Sequence, residues 1–130
     1  MTEDAYFLEP GGAYAQRDFR NANFRGVNLR GADLTEADLT EAVLADADLR
    51  YAGLGGAYLA RANLEGTDFE RAYLECADLR GAYLLGANFS EADLTYANLA
   101  GAKVGNAHFR GAFLTRARLG GAYLSGAYFD

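Results

Sequence analysis

The order of residues specifies a coil that turns a corner every five residues. From Phe19 to Phe129 every fifth residue is Leu, Phe or Val, giving 23 positions filled by 16 Leu, six Phe and Val104. Two residues earlier stands Ala in 20 of the 23 cases, the exceptions being Arg17, Val27 and Thr67. Two residues later fall ten of the 16 glycines, among them Gly26, Gly31, Gly66, Gly81, Gly86 and Gly126. Period five is neither helical nor flat: helical residues five apart are offset by about 140°, and a strand alternates with period two. A chain that bends after each block, with Ala and Leu inward and three side chains in water, satisfies all three observations. Gly serves the corners because it reaches backbone conformations other residues resist.

Blocks such as Ala32-Asp33-Leu34-Thr35-Glu36, Ala37-Asp38-Leu39-Thr40-Glu41 and Ala92-Asp93-Leu94-Thr95-Tyr96 follow the form Ala-(Asp/Asn)-(Leu/Phe)-X-X. This pattern resembles the pentapeptide-repeat family over residues 17–130. The resemblance implies an all-β fold, a right-handed quadrilateral parallel β-helix with one pentapeptide per face and four per coil, so that 23 blocks make just under six coils. Phe69, Phe89, Phe109 and Phe129 agree with four blocks per coil, since their spacing of 20 would stack the rings along one face. Each large buried side chain contributes roughly 1.5–3 kcal/mol, so the repeated core offsets chain ordering without cofactor or disulfide.

Residues 1–16 precede the register, are punctuated by Pro10-Gly11-Gly12, and read as an N-terminal cap. Tyr6, Phe7 and Leu8 are the expected lid, and Thr2 with Glu3 and Asp4 suits a single helical turn. At the other end the pattern runs to Asp130. Leu119, Leu124, Tyr128 and Phe129 are therefore expected to form an uncovered edge, through which two copies would join in a closed homodimer.

The composition argues against catalysis. With one Cys and one His, a disulfide framework, a Cys-based zinc cluster and a multi-His metal site are all excluded. Gly53-Leu54-Gly55-Gly56 is corner chemistry, because a phosphate-binding loop would need a following helix. His108 and Cys76 occupy ordinary outward slots. No cofactor is expected. No apolar run approaches membrane length and the Met-Thr-Glu-Asp start does not read as a signal peptide, so the expected location is the cytoplasm.

Function must then lie on the outward positions. The net charge is −6, but Glu3, Asp4 and Glu9 precede Arg17 with no Lys or Arg beside them, which leaves 12 basic and 15 acidic groups and a net −3 over residues 17–130. Charge is segregated along the chain. Arg17, Arg20, Arg25 and Arg30 are followed by the acidic run Asp33, Glu36, Asp38, Glu41, Asp46 and Asp48, and residues 103–118 carry Lys103, Arg110, Arg116 and Arg118 with no acid. Exposed aromatics are the second feature. Tyr83, Lys103 and Tyr123 share the second face, and Tyr73, Asp93 and Phe113 the fourth. Rigid aromatics beside charges suit protein interfaces. Tyr73, Tyr83, Lys103, Phe113 and Tyr123 are therefore the candidate partner surface of a non-enzymatic scaffold.

The resemblance implies an alternative. Family members include quinolone-resistance proteins that protect or inhibit DNA gyrase by imitating the shape and negative charge of duplex DNA. The acidic run would be the imitating patch, yet duplex DNA carries one charge per about 1.7 Å, and here the bases offset most of the acids. Direct nucleic-acid binding is disfavoured by the net negative charge. The perfect register also fits an idealised or designed array whose sole property is its fold.

Overall fold

A computed structural model describes residues 7–130. Its architecture follows from where each block sends its five backbone N–H groups. In residues 32–36, Ala32 N–H closes the corner on the Leu29 carbonyl at 3.0 Å. Asp33 N–H reaches back to Gly12 at 2.8 Å, while Leu34 and Glu36 reach forward to Gly53 and Gly55 at 2.7 and 2.9 Å. The fifth group, on Thr35, donates to Asp33 Oδ1 at 3.0 Å. Backbone donors without partners are costly, so a short acceptor side chain just before the central Leu completes the block. All twelve Asp and Asn residues at that place accept the same bond.

Repeating this pattern gives twenty parallel bridges among the described residues, each joining residues 20 apart, which sort into four ladders. The first face carries Asp18, Asp38, Tyr58, Asp78, Asn98 and Arg118, and the second Asn23, Val43, Asn63, Tyr83, Lys103 and Tyr123. The third carries Asn28, Asp48, Asp68, Asn88, His108 and Tyr128, and the fourth Ala13, Asp33, Gly53, Tyr73, Asp93 and Phe113. At the 24 corners from residue 11 to residue 126 the second turn residue has φ between 57° and 75°. With the carbonyl-to-amide bond across each corner, these are type II turns. Thirteen of those residues are not Gly, at a cost of roughly 1–2 kcal/mol each for an L-residue in the left-handed region.

The inward pair forms one continuous core from Tyr14 to Phe109. Phe69, Phe89, Phe109 and Phe129 stack with centroids 4.8, 5.0 and 4.8 Å apart and planes within 8° of parallel, as their spacing predicts. That rise matches the separation of hydrogen-bonded strands. Thr67 holds an Ala position, fully buried, because its Oγ1 donates to the Leu44 carbonyl at 2.8 Å.

The N-terminal end differs from expectation. Ala13 bridges Asp33, and Tyr14 takes an inward position ahead of Arg17. A Cβ on residue 12 would collide with the Tyr14 ring, which explains Gly12 in a slot that Ala fills in most blocks. The Tyr14 hydroxyl accepts Glu9 N–H at 2.9 Å, and Leu8 packs against the core. Tyr14 thus closes the first coil, and Phe7 stands 89% exposed rather than acting as a lid. Tyr6 and the helical turn expected at residues 2–4 lie outside the described residues.

Candidate functional site

Outward side chains stand in columns, each over its counterpart 20 residues away. Three Asp-X-Arg blocks form two-pronged ion pairs within a block. Arg20 donates Nε and Nη2 to Asp18 at 2.9 and 2.8 Å, Arg50 to Asp48 at 2.9 and 2.7 Å, and Arg80 to Asp78 at 2.8 and 2.7 Å. The Arg20 side chain holds the Asp18 carboxyl down from 3.8 to about 2, and Arg50 and Arg80 lower Asp48 and Asp78 in the same way. Hydrogen bonding from Thr35, side chain first and backbone second, lowers Asp33.

Further pairs cross between coils. Arg61 meets Glu41 at 2.9 Å, Arg71 meets Glu91 at 2.7 Å, Arg25 meets Asp46 at 3.6 Å, and Arg20 reaches Asp38 at 3.8 Å. The segregation read along the chain is therefore closed in space. Coils stack about 4.8 Å apart, well within the reach of an arginine side chain, so the basic stretch lies against the acidic one. Of the candidate acidic patch, Asp38, Glu41, Asp46 and Asp48 each face a guanidinium, and Glu36 accepts Gln16 Nε2 at 3.0 Å.

The aromatics stay open. On the second face the Lys103 ammonium sits between two rings, 4.7 Å from the Tyr83 centroid and 5.7 Å from that of Tyr123. Beside it, Leu85, Lys103, Gly105, Tyr123 and Ser125 line a depression of about 290 Å³. The fourth face holds Tyr73 and Phe113 about a larger depression of about 500 Å³, whose other walls include Tyr51, Arg71, Glu91 and Asp93. There Arg71 ties together three successive coils, donating Nε to Glu91 at 2.7 Å and Nη1 to the Tyr51 hydroxyl at 2.9 Å. The five candidate residues thus form two surfaces on opposite faces of the coil. Sequence reasoning missed Leu85, 46% exposed, although its place directly after the inward Leu84 marks it as out of phase.

His108 is exposed and stacks on Tyr128 at 4.8 Å, and Cys76 is exposed and unpaired. Among the described residues no cluster of His, Cys, Asp and Glu is arranged to hold a metal, and no helix is long and apolar enough to cross a membrane. At the C-terminal edge Leu119 is partly buried, while Leu124 and Phe129 are 40% and 46% exposed and Tyr128 is exposed.

Comparison with known proteins agrees with this geometry. The family model described as pentapeptide repeats matches in eight copies, over residues 18–52, 52–90, 72–111 and 105–130. The pentapeptide repeat protein Rfr23 from the cyanobacterium Cyanothece 51142 is 30% identical, with 83% of this chain and 88% of that one covered and a TM-score of 0.43. HetL, a pentapeptide repeat protein involved in heterocyst differentiation regulation from Nostoc sp. strain PCC 7120, is 29% identical over 89% of this chain and 73% of its own, with a TM-score of 0.45. A trypsin-treated form of QnrB1, a plasmid-mediated fluoroquinolone resistance protein, is 24% identical over 87% of this chain and 61% of its own. Its TM-score of 0.62 shows a shared fold. No curated protein sequence matches.

Proposed function

From the premise that the chain belongs to the pentapeptide-repeat family, we propose that it is a non-enzymatic scaffold for protein–protein binding. In this reading it is a right-handed quadrilateral rod of just under six coils, working in the cytoplasm. The observation that carries the reading is the Tyr83–Lys103–Tyr123 column. Two exposed rings hold a cation between them, no carboxylate among the described residues is bound to it, and an apolar depression opens alongside. Such a surface buries aromatic area at little entropic cost, because each Tyr has few rotatable bonds and the coil beneath is fixed. Tyr73 and Phe113 supply a second contact surface on the opposite face. The exposed C-terminal edge supports self-association through Leu119, Leu124, Tyr128 and Phe129 as a companion feature.

The test is affinity capture with wild type, with a Tyr83→Ser/Tyr123→Ser variant and with a Tyr73→Ser/Phe113→Ser variant. A partner lost with one pair and kept with the other supports the reading and identifies the binding face. If both variants retain every partner, the aromatics are surface filler and the reading fails. Mimicry of duplex DNA toward gyrase is the competing reading, and the pairing of the acidic run with arginines counts against it. A gyrase supercoiling assay unchanged at protein excess removes it. Inhibition that is abolished by charge reversal at Asp38, Asp48 and Asp68 would restore it in place of the scaffold.

A further inference from the structure

We infer that Arg116 and Arg118 form a binding site for a doubly charged oxyanion of the phosphate or sulfate type. The guanidiniums of Arg20, Arg25, Arg50, Arg61, Arg71 and Arg80 each hold a carboxylate. Among the described residues Arg116 and Arg118 hold none, and with Tyr96 and Asn98 they line one depression of about 460 Å³. Arg118 lies one coil beyond Asn98 on the first face, and Arg116 occupies the preceding corner with φ 57°. The contrast with the other arginines in that strained corner conformation is informative. Arg61 and Arg71 there bind Glu41 and Glu91 in the neighbouring coil, whereas Arg116 meets the Tyr96 ring, 6.0 Å from its guanidinium carbon, and no carboxylate among the described residues.

The chemistry of the lining points to an anion. Asn98 Oδ1 already accepts Ala100 N–H at 3.1 Å, so its Nδ2 remains to donate. The Tyr96 hydroxyl is a further donor. No Asp or Glu lies between Asp93 and Asp130, and Asp78, one coil back from Asn98 on the same face, is taken up by Nε and Nη2 of Arg80. Two unpaired guanidiniums at one depression are answered by a dianion with several acceptor oxygens, which takes a fork from each, and only half answered by a monocarboxylate. The same contacts take the free anion and a phosphoryl group carried on a larger molecule.

The experiment is an NMR titration of the full chain with sodium sulfate, inorganic phosphate and phosphoserine at constant ionic strength, with acetate and chloride as references. Saturable shifts confined to residues 96–98 and 116–118 are expected with sulfate and phosphate. Arg116→Gln and Arg118→Gln should each weaken binding about tenfold, the loss expected for a hydrogen bond to a charged group, at unchanged melting temperature. Arg110→Gln, outside the depression, should bind as wild type. Arg116→Lys, which keeps the charge and loses the fork, should fall in between and serves if a Gln variant misfolds. Phosphoserine binding tighter than phosphate would assign the source to a carried phosphoryl group, and the reverse to the free ion. Non-saturating shifts, acetate matching sulfate, or unchanged affinity in the Gln variants would overturn the proposal.

Discussion

Residues 17–93 and residues 94–129 share one interior and differ outside. In the first stretch most guanidiniums hold carboxylates, and eleven Asp or Asn side chains complete the backbone accounting of their own blocks. In the second, Asn98 alone does so. The same position in the following blocks is taken by Lys103, His108, Phe113, Arg118, Tyr123 and Tyr128. Locally favourable residues have given way to large cationic and aromatic ones with little local use. Departures of this kind from self-consistency are where function is found. The charged groups of the early coils largely satisfy one another, whereas the later coils, with Tyr73 and Tyr83 just before them, leave large side chains exposed.

The largest test of the contrast concerns the shared interior. Phe89→Ala, in the middle of the ring stack, should destabilise by about 3–5 kcal/mol in chemical denaturation, and Phe129→Ala, nearly half exposed, by less than half as much. Equal losses would mean that the terminal coil is as tightly held as the centre.

A smaller effect separates the two outer surfaces within one ladder. Asn63→Ala removes the bond to Glu65 N–H and should cost about 0.5–1.5 kcal/mol, while Lys103→Ala, with no such bond to lose, should change stability less. A Lys103 variant as damaging as the Asn63 variant would show that the aromatic column is structural.

The smallest effect per residue is electrostatic, because the ion pairs are exposed. The carboxyls of Asp18, Asp48 and Asp78 titrate below 3.8 in the folded chain. As pH falls the unfolded chain takes up protons first, so their stabilisation is present above that value and is lost as pH drops through the folded values, toward about 2 for Asp18. The melting temperature should fall over this window. A variant with all three changed to Asn should show a shallower fall, and an identical slope would remove the ion pairs from the account.

Much of this was legible in the sequence because a period of five leaves little freedom. It yielded the inward pair, the corners, the ring stack and the short polar side chains beside the turns. The cap was not legible: Tyr14 breaks the Ala/Leu pattern, and only its ring lying where residue 12 would carry a methyl reveals that it belongs. The charge arrangement was misleading. Arg25 and Asp46 are 21 positions apart in the chain and 3.6 Å apart in space, so separation along the sequence became contact across a coil. The depression at Arg116 and Arg118 also needed coordinates, since only they show which arginines meet a carboxylate among the described residues and which do not.

The sandwiching of Lys103 has one more consequence. A rod whose backbone repeats every coil has no inherent origin, and a partner gripping it through shape alone would be free to shift by one rung. On the second face such a shift would exchange Tyr83, Lys103 and Tyr123 for Asn63, Tyr83 and Lys103. For a partner of the proposed scaffold, the lone cation between two rings would be a registration mark, fixing position along an axis that the uniform interior leaves blank.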